Sequence, residues 1–337
     1  MIVRKSGIQC SKLLEGIWMN RARDIVHAKA SYERGIYGNR IGVAVVDTGI
    51  MAHTDFVTGG NRIVAFKDMI HGRIDMYDDN GHGTHVSGII GGNGTASDGK
   101  YMGIAPKCNI IGVKALNYKG NGNVSDVLTA FDWIIANKER YNIRIVNISV
   151  GSTSDENASE HSNLVVGVDE LWDQGIVVVV AAGNNGPGPR TISMPGISRK
   201  VITVGASDDN ISVEVFGTKT IDYSGRGPTL ACVKKPDVVA PGSNIVSCCP
   251  PRNDSHSGRG LLFGRPKSDP YGGLYTTKSG TSMATPLVTG GVALLLSAYP
   301  DMTNREVKIR IKNSSTDLGL QHQQQGWGLL NIGKLIP

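Results

Sequence analysis

Short runs dominated by Val and Ile set the limits on what this chain can fold into: IGVAVV (41–46), IIGVKAL (110–116), RIVNISV (144–150), IVVVVAA (176–182), VITVGA (201–206) and DVVAPG (237–242). Each is apolar without alternation, the pattern of a strand covered on both faces. Between the second and third lies NVSDVLTAFDWIIANK. Its apolar positions Val124, Val127, Leu128, Phe131, Ile134 and Ile135 recur with the 3.6-residue period of an amphipathic helix. Strand, helix and strand in succession imply a parallel sheet with right-handed crossovers. The expected class is therefore α/β, a three-layer arrangement with a mostly parallel central sheet flanked by helices. Further helices are expected near 20–34 and over 303–313.

Apolar residues make up 40% of the 337 positions, enough for a sizeable core in one large domain. The 44 glycines point to many tight turns and close backbone approaches. The net charge of +6 is spread along the chain, so neither a nucleic-acid module nor a basic arm is indicated. No membrane partner is expected either: the most apolar segment, 287–299, is interrupted by Thr289, Gly290, Gly291 and Ser297 and falls short of the roughly 20 residues a span needs. MIVRKSGIQCSKLLEG at the start lacks the apolar run of a signal peptide. Cys10, Cys108, Cys232, Cys248 and Cys249 form neither an even framework nor a CxxC pair, which favours free thiols and the cytoplasm. Residues 248–273, dense in Pro, Gly, Ser and Arg, read as a long surface loop. The expected organisation is an N-terminal extension over 1–21 and one domain over 22–337 that carries this loop.

Polar motifs fall where a doubly wound sheet places its ligands, beyond the carboxyl ends of strands. Asp47 directly follows the 41–46 run, in VVDTGI. His82 opens a helical stretch in DNGHGTHVSGII, and Ser282 sits in SGTSMATP just before a long apolar helix. A serine hydroxyl becomes nucleophilic when an imidazole takes its proton, and a carboxylate fixes the tautomer of that imidazole. Asn184, just past a buried strand in VVVVAAGNNG, offers a donor for the oxyanion that forms on attack.

DTGI, HGTHVSG, AAGNNG and GTSMATP, in this order, resemble the signature segments of the subtilisin-like serine peptidases, and YSGRGP (223–228) and KPDVVAPG (235–242) are similar to that family too. The likeness runs from about residue 22 to about residue 330. It implies the subtilisin-like fold and a serine endopeptidase with an acyl-enzyme intermediate. Asp47 would orient the base, His82 would be general base and then acid, Ser282 the nucleophile and Asn184 the oxyanion donor. It also implies that an extended substrate pairs with Gly120, Asn121 and Gly122 on one side and Ser149, Val150 and Gly151 on the other, with Ala182 and Gly183 completing the pocket for the residue before the scissile bond. No acid stands in those walls, so an apolar or aromatic residue is expected there. No cofactor is implied for catalysis. The short surplus ahead of the domain resembles that of the intracellular and alkaline members. The reading is that residues 1–17 lie back toward the cleft as an inhibitor, and a homo-oligomer is compatible with it. A structural calcium ion would need Asn93 and Asp98, in a loop that departs from the family's calcium loop and reads better as a Gly/Asn turn.

Other chemistries fit less well. Asp47-Thr48-Gly49 is also an aspartic-peptidase triplet, but a second such carboxylate is missing from the sequence. GTSMA lacks the closing Gly of a nucleophile elbow, and an Asp and a His do not both follow it in the required places. His82 and His85 lack the Glu of a zinc HExxH motif, which makes His85 structural. A pseudoprotease that only binds partners would be expected to lack one of these groups. Peptide ligation by the same acyl-enzyme would yield products one water lighter than the sum of the substrates.

Overall fold

The Val- and Ile-rich runs assemble into a single seven-stranded sheet in which every pairing is parallel. The structure, a computed structural model, describes residues 19–149, 151, 161–215, 217–250 and 272–337. In chain order the sheet uses β1 (Gly42–Asp47), β2 (Ile63–Asp68), β3 (Asn109–Lys114), β4 (Ile143–Ile148), β5 (Val177–Ala181) and β6 (Ile202–Ala206). The hairpin β7 (Val213–Val215) and β8 (Thr218–Thr220) precedes the last sheet strand, β9 (Val238–Ala240); a second hairpin pairs β10 (Ile245–Cys248) with β11 (Tyr275–Lys278). The spatial order is β2-β3-β1-β4-β5-β6-β9. Strands β1, β4 and β5 are buried along their whole length or nearly so, as their unalternating composition requires. Edge strand β2 was not apparent in the sequence, because its exposed Val64 and mixed RIVAFKD composition hide it.

The helices are α1 (Met19–Ile25), α2 (Lys29–Tyr32), α3 (Thr54–Val57), α4 (His82–Gly91), α5 (Val124–Ala136), α6 (Asn163–Asp173), α7 (Thr281–Ala298), α8 (Asn304–Ser314), α9 (His322–Gln325) and α10 (Ile332–Leu335). The single helix expected over 20–34 is two short ones, because His27 takes a φ of 57°, a left-handed conformation that a helix cannot continue through. Met19 in α1 already belongs to the core, whereas residues 1–18 lie outside the described residues. The expected 248–273 loop also falls mostly outside them; its described ends are β10 and the turn before β11. Helix α8 starts at a capping box: the Thr303 side chain accepts from the Glu306 N–H, and the Glu306 carboxylate accepts from the Thr303 N–H.

Helices α4 and α7 pack on each other and on the sheet, and α5 packs with α6. Helix α7 is long and apolar enough to cross a membrane, yet 89% of that length is buried inside the protein, so it is the central core helix. Its N-terminus is delivered to the sheet edge by a relay. The Gly280 N–H donates to the Gly242 carbonyl at 2.9 Å, and the Asp208 carboxylate accepts from the N–H groups of Gly242 at 2.7 Å and Ser243 at 3.1 Å. The other oxygen of that carboxylate, Oδ2, is enclosed without a partner. Burial therefore pushes the Asp208 carboxyl up to about 6, against the pull of the two N–H donors.

A carboxyl raised in the folded state adds stability below its unfolded pKa and loses it as pH climbs through the folded value. Between pH 4 and pH 7 the stability of the chain is expected to fall by on the order of 1–3 kcal/mol more than that of the same chain carrying Asp208→Asn. Urea unfolding at four pH values checks this; parallel curves for the two proteins would remove Asp208 from the account.

Candidate active site

Asp47 is the last residue of β1 and is fully buried; its carbonyl accepts the N–H groups of Ala115 and Leu116, which fixes the strand end. Its carboxylate accepts the Thr48 N–H at 2.7 Å and the His82 Nδ1–H at 2.8 and 2.9 Å to its two oxygens. That contact gives the imidazole a tautomer with Nε2 free to take a proton. His82 opens α4, whose second residue must be glycine: a Cβ at Gly83 would lie 2.1 Å from the Gly49 carbonyl and 3.2 Å from Asp47 Cβ. The helix start can approach β1 this closely only without a side chain there.

A buried carboxylate that the motif reading passed over holds these two elements together. Asp78 Oδ1 accepts from Thr48 Oγ1 at 2.8 Å, Gly81 N at 2.7 Å and Asn80 N at 3.2 Å, and Oδ2 accepts from Thr84 N at 2.8 Å and Thr84 Oγ1 at 2.6 Å. Thr48 Oγ1 in turn accepts from the Gly83 N–H at 2.9 Å, and Thr84 Oγ1 from the Met51 N–H at 3.1 Å. The turn after Asp47 and the start of the His82 helix are thus stitched on both sides of one carboxylate. Burial pushes the Asp78 carboxyl up, but the Thr84 and Gly81 donors outweigh it, so the group stays below the usual carboxylate range. The fully buried Lys114 adds a second clamp, spending its three ammonium protons on the Thr48 carbonyl, the Leu116 carbonyl and Asp79 Oδ1. Only a survey of which polar groups become enclosed could have singled out Asp78 and Lys114, because neither stands in a signature segment.

Ser282 is the second residue of α7 and shares a cavity of about 720 Å³ with His82. Its hydroxyl donates to the Ser149 carbonyl at 2.7 Å, not to the imidazole. The Ser149 end of β4 is itself tied to α7: Thr289 Oγ1 donates to Asn147 Oδ1 at 2.8 Å, and Asn147 Nδ2 donates to Ser149 Oγ at 2.8 Å. Asn184 presents its amide in a defined sense, because its Oδ1 accepts the Thr281 N–H at 2.9 Å and the Thr281 hydroxyl at 3.0 Å. Among the described residues, neither the Asn184 Nδ2 protons nor the Ser282 N–H at the helix start meets an acceptor. Thr281 is a further residue that the motif reading had not singled out.

The same cavity is lined by Gly120, Asn121, Ser149, Gly151 and Gly183, as well as by Leu116, Lys119, Ser193 and Lys278. Two of the expected residues lie apart from it. Ala182 spends its N–H on Val204 and its carbonyl on Ser193, and leaves the lining to Ala181 and Gly183. Gly122 is backed onto the Ala115 carbonyl, outside the lining. Val150 is outside the described residues. Ser193 sits close to both Gly183 and Gly151, so among the described residues a hydroxyl stands between those walls.

Asn93 accepts the Thr95 N–H with its side-chain oxygen and Asp98 is exposed, so the described residues of that loop form a turn. His53, Asp55 and Cys248 bring ligand atoms within 4.8 Å of one another. However, His53 Nδ1 accepts from the Asp55 N–H, its Nε2 donates to the Leu274 carbonyl, and Asp55 accepts from Ala96 N, Tyr275 OH and Cys248 Sγ. That cluster is a hydrogen-bonded hub. His85 shares its Nε2–H between the carbonyls of Ile245 and Thr276, anchoring α4 to the β10–β11 hairpin; burial holds it well below the usual histidine range, hence neutral.

A parallel sheet with a carboxylate, an imidazole and a helix-start serine gathered at its strand ends is the architecture of the subtilisin-like serine proteases. The model of the Subtilase family matches residues 38–328, and the chain belongs to that family. Serine protease AprX of Bacillus subtilis (strain 168) is 41% identical over 98% of this chain and 75% of its own length. Subtilisin Savinase of Lederbergia lenta is 32% identical over 91% of this chain and 94% of its own. A crystal structure of a cold-adapted subtilisin-like serine proteinase superposes with a TM-score of 0.65 at 29% identity, covering 88% of this chain and 90% of that one. The protein is a subtilisin-like serine endopeptidase, a hydrolase of peptide and protein substrates that needs no catalytic cofactor.

Replacing Asp78 by Asn removes an acceptor that faces donors on every side. The variant is expected to lose on the order of 2–4 kcal/mol of stability and, because His82 shifts relative to Asp47, about 10- to 100-fold in kcat with KM nearly unchanged. The wild type should lose Asp78's contribution as pH falls through its depressed folded value, since that contribution is present above the unfolded pKa. Steady-state kinetics with acid-side unfolding curves measure both effects; a kcat equal to wild type would make Asp78 a purely distant support.

Proposed function

We propose that Ser282, His82 and Asp47 act as the catalytic triad and Asn184 as the oxyanion donor of this endopeptidase. The observation that carries the reading is the Asp47–His82 hydrogen bond in the same cavity as a helix-start serine and an asparagine amide with its protons unspent. Ser282 turns its hydroxyl from the Ser149 carbonyl toward His82 Nε2, a single torsional step. A substrate N–H arriving at that carbonyl competes for the same acceptor and favours the turn. Ser282 Oγ then attacks the scissile carbonyl carbon while its proton passes to His82 Nε2, and the imidazolium is stabilised by Asp47. The charge that develops on the carbonyl oxygen meets Asn184 Nδ2 and the Ser282 N–H, the latter strengthened by the α7 dipole. His82 gives the proton to the departing amine, the acyl-enzyme remains on Ser282, and water repeats the sequence to release the acid.

In this reading an extended peptide lies between segments 119–122 and 149–151, and an apolar or aromatic side chain enters between 149–151 and 181–183, where the lining ends on Ser193. Cys108, Cys232 and Cys248, which form no disulfide among the described residues, support a cytoplasmic location. Residues 1–17, outside the described part, would act as an inhibitory segment. The paired carboxylate of Asp47 speaks against aspartic-protease chemistry, which needs two carboxyls sharing a proton.

Ser282→Ala is expected to remain folded and to lose both peptide hydrolysis and labelling by a fluorophosphonate; near-normal turnover by that variant would end the reading. Asn184→Ala should fall by roughly 10²–10³ in kcat, the size measured for such a donor in this same family and taken from there. Because the Asn93–Asp98 loop is closed by its own hydrogen bonds, chelation with EDTA should leave the melting temperature of the Ser282→Ala protein where it is. A large drop reversed by calcium would show that a site has been overlooked.

A further inference from the structure

We infer that the substrate cleft is charge-polarised across the reacting bond, accepting acidic or neutral side chains on the acyl side and basic ones on the leaving-group side. The inference rests on the triad reading above, which tells the two sides apart.

Two cavities meet at His82 and Ser282. The larger holds Asn184 and the segments proposed to pair with the acyl half of the substrate; the smaller, about 420 Å³, lies beyond Ser282 and is bordered by Asn244, Thr277, Ser279 and Met283. The β7–β8 hairpin divides them. Val213 and Val215 seat it on Ala206 and Tyr223, and this packing fixes which way its other residues face. Glu214 and Gly217 border the smaller cavity, whereas Val215, Thr218 and Thr220 border the larger. A strand alternates its side chains, so one hairpin can present different chemistry to two cavities.

The charges on the two sides differ. Among the described residues, Lys119 and Lys278 line the acyl cavity and no accessible carboxylate does, since Asp47 is fully enclosed behind His82. Glu214 lines only the leaving-group cavity, where it faces the shared Lys278. Lys219, directly across the hairpin from Glu214, borders neither cavity. Among the described residues Glu214 makes no ion pair within 4.0 Å with either lysine. Its exposed carboxylate is therefore left to meet a cation entering that cavity. Among the described residues, a basic side chain on the acyl side meets the like charges of Lys119 and Lys278, and the same side chain on the leaving-group side meets Glu214 beside Lys278. Discrimination arises as much from the repulsion as from the attraction.

The test uses internally quenched peptides that differ only by Lys or Glu at one position, placed on either side of the cleaved bond, with the full chain as enzyme. The Lys-to-Glu ratio of kcat/KM is expected to be about 10-fold higher on the leaving-group side than on the acyl side at low salt, and to shrink in about 1 M NaCl as screening shortens to a few ångströms. Glu214→Lys should lower the leaving-group ratio roughly 3- to 10-fold and leave the acyl ratio in place, while Lys119→Glu does the converse. Equal ratios on the two sides, or a Glu214→Lys effect that moves both alike, would overturn the inference while peptide cleavage and fluorophosphonate labelling still stand. A wild-type enzyme that neither cleaves a neutral peptide nor takes the label would overturn the triad reading and this inference together.

Discussion

Enclosing a carboxylate is costly unless its lone pairs are matched, and the whole site is arranged around meeting that condition twice over. Asp47 must be buried to hold an imidazole, and an isolated buried carboxylate would shed its charge. The structure supplies Asp47 with Thr48 N and His82 Nδ1, then fixes the residue that follows it by hanging Thr48 between Asp78 and the Gly83 amide. Lys114 closes the arrangement and links it to Leu116, at the start of the segment that lines the cavity. Because these partners come from β1, β3 and the start of α4, displacing any one of these elements would strand an enclosed charge. The same bonds that satisfy Asp78 therefore set the position of His82.

The remaining groups depend on strand ends in the same way. A parallel sheet directs the carboxyl ends of all its strands to one edge, and β1, β3, β4 and β5 bring Asp47, the Leu116 segment, Ser149 and the Asn184 turn to that edge. Helix α7 arrives there through the Gly242–Gly280 bond and is held to β4 through Asn147 and Thr289. Rigid elements thus carry the polar groups, while among the described residues the Asn184 Nδ2 protons and the Ser282 N–H stay unspent. In the proposed mechanism such preorganisation avoids reorienting dipoles during the reaction.

Much of this was legible in the residues, for a physical reason. Strands buried on both faces must be continuously apolar, so each of the long Val/Ile runs announced itself, and the 3.6-residue period of 124–135 announced α5. Edge strand β2 and the two hairpins stayed hidden because short or partly exposed strands carry no such constraint. The break at His27 was invisible because a left-handed residue leaves no mark on hydrophobic spacing. Within the site, signature segments marked Asp47, His82, Asn184 and Ser282, which the fold brings to one sheet edge, but Asp78, Lys114 and Thr281 act through partners distant in sequence. Ala182 and Gly122 neighbour residues that line the cavity without lining it themselves, a distinction that spacing does not carry. The hydrogen bond of the Ser282 hydroxyl to the Ser149 carbonyl is a matter of local geometry, which composition does not encode.

The central claim is that Asp47 fixes the tautomer of His82. Nitrogen-15 NMR of the histidine-labelled resting enzyme at mildly alkaline pH reads it directly. The account requires a protonated Nδ1, with its proton shifted far downfield by the carboxylate, and an unprotonated Nε2. A His82 that carries its proton on Nε2, or that averages between the two tautomers, would contradict it.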